Sequence, residues 1–236
     1  MENAVDRFLN KINLTLPVKV AIVGASLTFL FLIGEGAEES FGPFLAYLYG
    51  SIPFGYLITK YWTGKNITAE GSGNVGMANS YNVGGMVPAI VTTSGEISKA
   101  LLPLTITFLY YDLDLRLSCF LLAGTYLGTN FSIFLKGKGG MGTTMMLWSL
   151  LVLSPLSLVA ILACMVVTMK VMKDTYHMAL LNYAIGPFIV FIIDGRPILV
   201  TFVTFAAMIY LIKLKRDMDD LGVRHRMMSQ RRSGSF

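Results

Sequence analysis

The chain has 236 residues, 54% of them hydrophobic and only 14% charged, with a net charge of +5. Soluble domains carry about 25% charged residues, so the composition excludes an ordinary soluble domain. Several apolar runs are continuous and reach roughly 18 residues, the length that crosses about 30 Å of hydrocarbon, and this excludes the alternating pattern of a β-barrel. The class expected is an all-α, polytopic membrane protein.

Taken in order, residues 1–16 are mixed in character, contain Arg7 and Lys11, and suit the membrane interface. A first span is expected over 17–33. The run has no small-residue cleavage motif, so it is not read as a signal peptide. Gly34 to Glu39 form an acidic loop. A second span is expected over 41–62, where Pro53 frees backbone carbonyls and can kink the helix. A Gly-rich loop follows from about 63 to 85, and its centre is Gly71-Ser72-Gly73-Asn74-Val75-Gly76-Met77-Ala78-Asn79. Further spans are expected over 86–111 and 117–135. A second Gly-rich loop then runs from Lys136 to Thr144. The apolar run 143–169 is broken at Ser154-Pro155, so it is one kinked helix or two short spans turning back. The last spans are expected over 177–193 and 197–213, followed by a charged tail. Cys119 and Cys164 both fall in apolar segments and read as small core residues.

Charge placement decides the hairpin question. With about eight crossings and the N-terminus inside, Arg7, Lys11, Lys19, Lys60, Lys65, Lys136, Lys138, Lys170, Lys173 and the basic tail share one side, and only Arg116 and Arg196 fall on the other, as the positive-inside rule prefers. A single span at 143–169 would carry the Lys170–Lys173 loop and the tail across. The rule therefore prefers the hairpin, with both termini and both Gly-rich loops on the cytoplasmic face.

Repeated glycines permit positive φ and close backbone approach, and successive amides can converge into an anion-binding nest. Ser72, Asn74 and Asn79 add side-chain donors. The first loop thus reads as a phosphate site, or more plainly as a flexible turn. Lys136 and Lys138 flank glycines and could meet phosphate oxygens or lipid headgroups. Glu96 and Lys99 share a helix face and can pair, as support for a site or as a neutralised structural pair. His177 is an acid/base candidate or simply an interface residue. No cluster has metal-ligand spacing, so neither metal nor cofactor is expected. The basic tail, from Lys213 through Arg232, suits anionic lipid. It lacks interleaved aromatics, which argues against nucleic acid.

The ordered motifs Gly50-Ser51-Ile52-Pro53-Phe54-Gly55, Gly71 to Asn79, Gly128 to Phe134 and Lys138-Gly139-Gly140-Met141-Gly142 resemble the integral-membrane acyl-phosphate:glycerol-3-phosphate acyltransferase family, of the bacterial PlsY type. The resemblance covers roughly residues 41–221. It implies a multi-pass cell-membrane enzyme of phospholipid biosynthesis, making lysophosphatidic acid from glycerol 3-phosphate and acyl phosphate. Residues 1–40 would then be an added helix ahead of a seven-span core, and 222–236 a basic tail. Carried over, Ser72, Asn79 and Lys138 would be catalytic. Gly71, Gly73, Asn74, Gly76, Lys136, Gly139, Gly140 and His177 would bind substrate. Glu96, Lys99 and Pro103 stand where the family has an Asp, a Lys and a Pro. The chain departs from the family pattern at Ala78, Asn82, Thr129, Met141 and His177, where the family has Thr, Arg, His, Lys and Ser. A catalytically altered or silent lipid- or partner-binding relative, and less directly a small anion transporter, remain alternatives.

Overall fold

A computed structural model describes the chain over residues 16–172 and 175–213, apart from the side chains of 16–19, 29, 32, 172 and 175–177. The expected interfacial segment 1–15, the tail beyond Lys213 and the His177 side chain lie outside the described residues. All regular structure within them is helical. In chain order the helices are α1 (Leu16–Ile33), α2 (Ala37–Gly50), α3 (Phe54–Thr63), α4 (Met77–Gly84), α5 (Met86–Tyr111) and α6 (Leu115–Asn130). A 3₁₀ turn at Ile133–Leu135 follows, then α7 (Thr143–Leu153), α8 (Pro155–Met172), α9 (Thr175–Ile193) and α10 (Pro197–Lys213).

The centre of the bundle is α6, buried from Leu117 to Asn130. The segment Leu115–Leu135 is long and apolar enough to cross a membrane. Its neighbour α2 lies against it backbone to backbone. A Cβ at Gly124 would stand 2.1 Å from the Pro43 carbonyl oxygen, and one at Gly50 would stand 2.2 Å from that of Thr125. Only glycine permits this approach, the small-residue packing that membrane helices use where no hydrophobic drive separates helix from lipid. The outward faces are strongly apolar, with Phe108, Leu109, Leu156, Val159, Phe188 and Ile192 all exposed. Buried polar residues, among them Thr59, Ser80, Thr92, Glu96 and Lys99, sit inside instead.

Two expected elements are corrected. The segment 41–62 is not one helix but α2 and α3, interrupted at Ser51–Pro53. Proline has no N–H to continue the ladder, and the freed carbonyls find side-chain donors: Thr129 reaches Gly50 O at 3.5 Å and Ser132 reaches Ser51 O at 2.5 Å. The stretch 63–85 is not all loop. It contains α4, because no breaker lies between Gly76 and Gly84 and the buried Asn79 and Ser80 anchor that turn.

The break at Ser154 is a reversal. Thr143 at the start of α7 meets Tyr183 on α9 at 3.3 Å, and Leu153 at its end accepts from Arg196, just past α9, at 2.5 Å. Helix α7 therefore runs with α9. Thr168 on α8 meets Asn182 on α9 at 2.7 Å, so α8 runs back. The hairpin preferred on charge grounds is the arrangement present. Asp194 locks the far turn by accepting from Arg196 Nε at 2.6 Å and Nη2 at 2.7 Å.

The Arg196 hydrogen bonds hold the Asp194 carboxyl at about 2, below its ordinary 3.8. A depressed carboxylate stabilises the fold fully above its unfolded value, and that contribution is lost as pH falls through the folded value. Asp194→Asn is accordingly expected to lower the thermal midpoint by a few degrees at pH 6, with the gap to the parent closing as pH approaches 2. Thermal unfolding of both proteins across that range checks it.

Candidate functional site

The first Gly-rich loop is shaped by one side chain. Asn79, 2% exposed, donates from Nδ2 to the carbonyls of Ile67, Glu70 and Asn74 at 3.2, 3.0 and 2.9 Å. Its Oδ1 accepts from Ser72 N at 3.0 Å. For this, Gly71 and Gly73 take φ of +53° and +72°, and a Cβ at Gly71 would lie 2.2 Å from Asn79 Oδ1. Both torsions fall in the left-handed region that favours glycine.

This clasp corrects the idea of a nest of free loop amides. Four of the amides already have acceptors. Ser72 N donates to Asn79, Gly73 N to Glu70 O, Asn74 N to Ser72 Oγ, and Gly76 N to Asn74 Oδ1. The donors left to a ligand are the Ser72 hydroxyl proton, the Asn74 side-chain amide and the first-turn amides of α4 at Met77 and Ala78, which have no intrahelical acceptor. The Asn79 side chain is thus engaged on both its oxygen and its nitrogen within the loop, and Ser72 stands half-buried.

The second loop is held from below by Lys213. This side chain is fully buried, and its ammonium donates to the carbonyls of Asn130 at 3.0 Å, Gly139 at 2.8 Å and Gly140. The expectation that Lys213 binds lipid is therefore corrected: a lysine at the end of a helix can turn inward when interrupted backbone offers acceptors. Gly139 is pinned as well, since a Cβ there would lie 2.2 Å from Thr129 O. Above this staple, Lys136 and Lys138 are exposed and have no side-chain partner among the described residues. The loop therefore turns its carbonyls inward and two cations outward.

The α2–α3 break joins the two loops. Ser132, whose carbonyl accepts Gly137 N at 2.8 Å, also donates to Ser51 O. Four residues along, Gly55 packs against the first loop, where a Cβ would stand 1.9 Å from Val75 O. Both loops thus sit at one end of the bundle on a common frame. Beneath them Glu96 and Lys99 pair at 2.9 Å, both buried, with Lys99 Nζ 5.5 Å from the centre of the Phe54 ring at the head of α3. The spacing-based pairing holds.

The structure groups Gly71, Ser72, Gly73, Asn74, Gly76 and Asn79 in one loop, and Lys136, Lys138, Gly139 and Gly140 in the other. No hydrogen bond links Ser72 to Lys138 among the described residues. Thr129 uses its hydroxyl on Gly50 O, so it braces the helix break. Ala78 and Asn82 are exposed on α4, while Met141 is half-buried against the cluster of Ala179 and Tyr210. Sequence reasoning missed the staple at Lys213. Its only signal is a lone cation closing an otherwise apolar helix.

A family model described as glycerol-3-phosphate acyltransferase matches residues 41–222. A glycerol-3-phosphate acyltransferase of Syntrophotalea carbinolica is 30% identical over 168 residues, covering 71% of this chain and 86% of the relative. That of Geotalea daltonii is 33% identical over 168 residues with the same coverage. Among solved structures, PlsY (YgiH), an integral membrane glycerol 3-phosphate acyltransferase, in its glycerol 3-phosphate form aligns with a TM-score of 0.68 at 20% identity. The alignment covers 80% of this chain and 93% of that one, a likeness of fold.

Removing either clasp should loosen its own loop. Asn79→Ala leaves one amide and three carbonyls unpartnered, at about 1 kcal/mol per lost bond, so a loss of about 2–4 kcal/mol is expected. Lys213→Met should similarly expose the second loop. Limited proteolysis is expected to cut near 66–76 in the first variant and near 136–142 in the second, with the opposite loop protected in each.

Proposed function

Given that the chain belongs to the glycerol-3-phosphate acyltransferase family, we propose that it transfers an acyl group from acyl phosphate to the 1-hydroxyl of glycerol 3-phosphate at the cytoplasmic face of the cell membrane. The hydroxyl oxygen bonds to the acyl carbon, and the bond from that carbon to the phosphate oxygen breaks. Phosphate departs with the electron pair, and the hydroxyl proton passes to phosphate or solvent. The product is lysophosphatidic acid. The observation that carries this reading is the placement of both Gly-rich loops on one frame at one end of the bundle, with exposed lysines on one and free donors on the other.

In this reading Lys138 and Lys136 neutralise phosphate. The Ser72 hydroxyl, Asn74 and the α4 amides orient the acceptor and steady developing charge. Asn79, Gly71, Gly73, Gly76, Gly139 and Gly140 keep the loops in shape, and the family resemblance assigns His177 a further binding role. Holding the hydroxyl against the acyl carbon supplies much of the rate. The helix ends are compatible with about eight passes, the broken pair α2–α3 counting as one, with the basic ends inside. Helix α1 is then an addition to the family's core.

Asn82 and Met141 stand where the family carries Arg and Lys. Each missing charge-assisted hydrogen bond is worth about 1.5–3 kcal/mol, so affinity for glycerol 3-phosphate should be lower by roughly a hundredfold or more. The internal use of the first loop's amides favours a second reading, a relative that kept the fold and binds lipid without turnover.

Purified full-length protein given acyl phosphate and labelled glycerol 3-phosphate is expected to form lysophosphatidic acid with a high KM. Ser72→Ala and Lys138→Ala should each lower kcat/KM by about tenfold or more, the worth of one charge-assisted or oriented hydrogen bond. Well-folded protein giving no transfer to glycerol 3-phosphate or to other phosphorylated polyols would select the second reading. Transfer to another polyol alone would reassign the acceptor.

A further inference from the structure

Helix α1 lies ahead of the family match, which begins at residue 41. It is nevertheless built into the bundle. At the end away from the loops, Arg116 donates to Ile33 O at 3.0 Å and pairs with Glu35 at 2.9 Å and Glu39 at 3.1 Å. At the other end Ile22 and Val23 pack against the core, and beside them a cleft of about 270 Å³ lies between α1 and the second loop. Val20, Val23 and Gly24 form one wall, Phe131 and Ile133 the other, and Lys136 closes one end. The inner wall is fixed, because Tyr47 donates to Phe131 O at 3.1 Å.

Two features say what fits this cleft. Its lining is mostly apolar: the Tyr47 hydroxyl is taken up by Phe131 O, which leaves Lys136, two residues before Lys138, as the exposed charged group. A narrow apolar trough ending in cations suits a single-chain amphiphile with an anionic head. Gly24 is the second feature. A Cβ there would meet no atom within 4 Å, so helix packing does not require the glycine, and glycine is a poor helix former. What its lack of a side chain does is keep the cleft open.

We propose that the cleft between α1 and the second Gly-rich loop seats the acyl chain of the acyl phosphate donor, and that α1 sets the chain length accepted. The phosphate end lies toward Lys136 and Lys138, and the chain lies along Val20, Val23 and Gly24. The added helix becomes a specificity element for the reaction. This assignment rests on the acyltransferase reading of the loops.

The test measures binding, using the full chain and two non-hydrolysable acyl phosphonates, octanoyl and palmitoyl. Gly24→Leu fills the cleft without a backbone clash. It is expected to weaken palmitoyl phosphonate about tenfold, the effect of displacing about two methylenes, and octanoyl phosphonate by less than about twofold. Gly24→Ala should give a smaller shift of the same sign, and Lys136→Gln should weaken both analogues alike. An unchanged ratio of the two affinities in Gly24→Leu overturns the proposal, as does occupancy by a membrane phospholipid that the phosphonate cannot displace. Because the readout is binding, absence of turnover would count against the acyltransferase reading and leave the chain-length result to stand or fall by itself.

Discussion

An interrupted helix inside an apolar bundle must find donors for the carbonyls it frees, because neither water nor lipid will supply them. This chain breaks its helices repeatedly, and several breaks among the described residues have a partner drawn from elsewhere in the sequence. Thr129 and Ser132 answer for Gly50 and Ser51, and Arg196 answers for Leu153. Asn79 gathers three carbonyls of the first loop, and Lys213 gathers three around the second. The loops that read as ligand sites are therefore stable first as solutions to a backbone problem.

That ordering separates two kinds of polar residue at the loop end. Some have their hydrogen-bonding capacity filled by the fold, such as Asn79 and Thr129. Others, such as Ser72, Lys136 and Lys138, keep a donor facing outward. The placement of the second kind depends on the hydrogen bonds of the first. Asn82 stands among the outward residues on α4, whereas Met141 is half-buried and packs with the scaffold.

Much of this is legible in the sequence. The apolar runs announced a helical membrane chain, and the charge rule chose the α7–α8 hairpin. The three-residue spacing of Glu96 and Lys99 foretold their ion pair. The glycine and asparagine motifs located both loops. Sequence could not say whether a donor is already engaged, since that depends on carbonyls distant in the chain. Asn79 looked like a ligand residue for this reason, and Lys213 looked like one more basic residue of a lipid-facing tail. The split of α2 from α3 was half legible. Pro53 marked a kink, while the full break required Ser132, which is 81 positions from its acceptor Ser51.

The buried ammonium of Lys213 also bears on the order in which the protein is made. Its acceptor Gly139 lies 74 residues earlier in the chain. During synthesis the second loop emerges long before the side chain that fixes it, and in that interval its carbonyls have no assigned donor. The first loop has no such delay, because Asn79 is within 12 residues of every carbonyl it holds. The two halves of the loop end thus mature at different times: one closes locally as it leaves the ribosome, and the other only when the last described helix arrives. A nascent chain stopped before Lys213 would carry every residue of both glycine motifs yet lack the finished second loop.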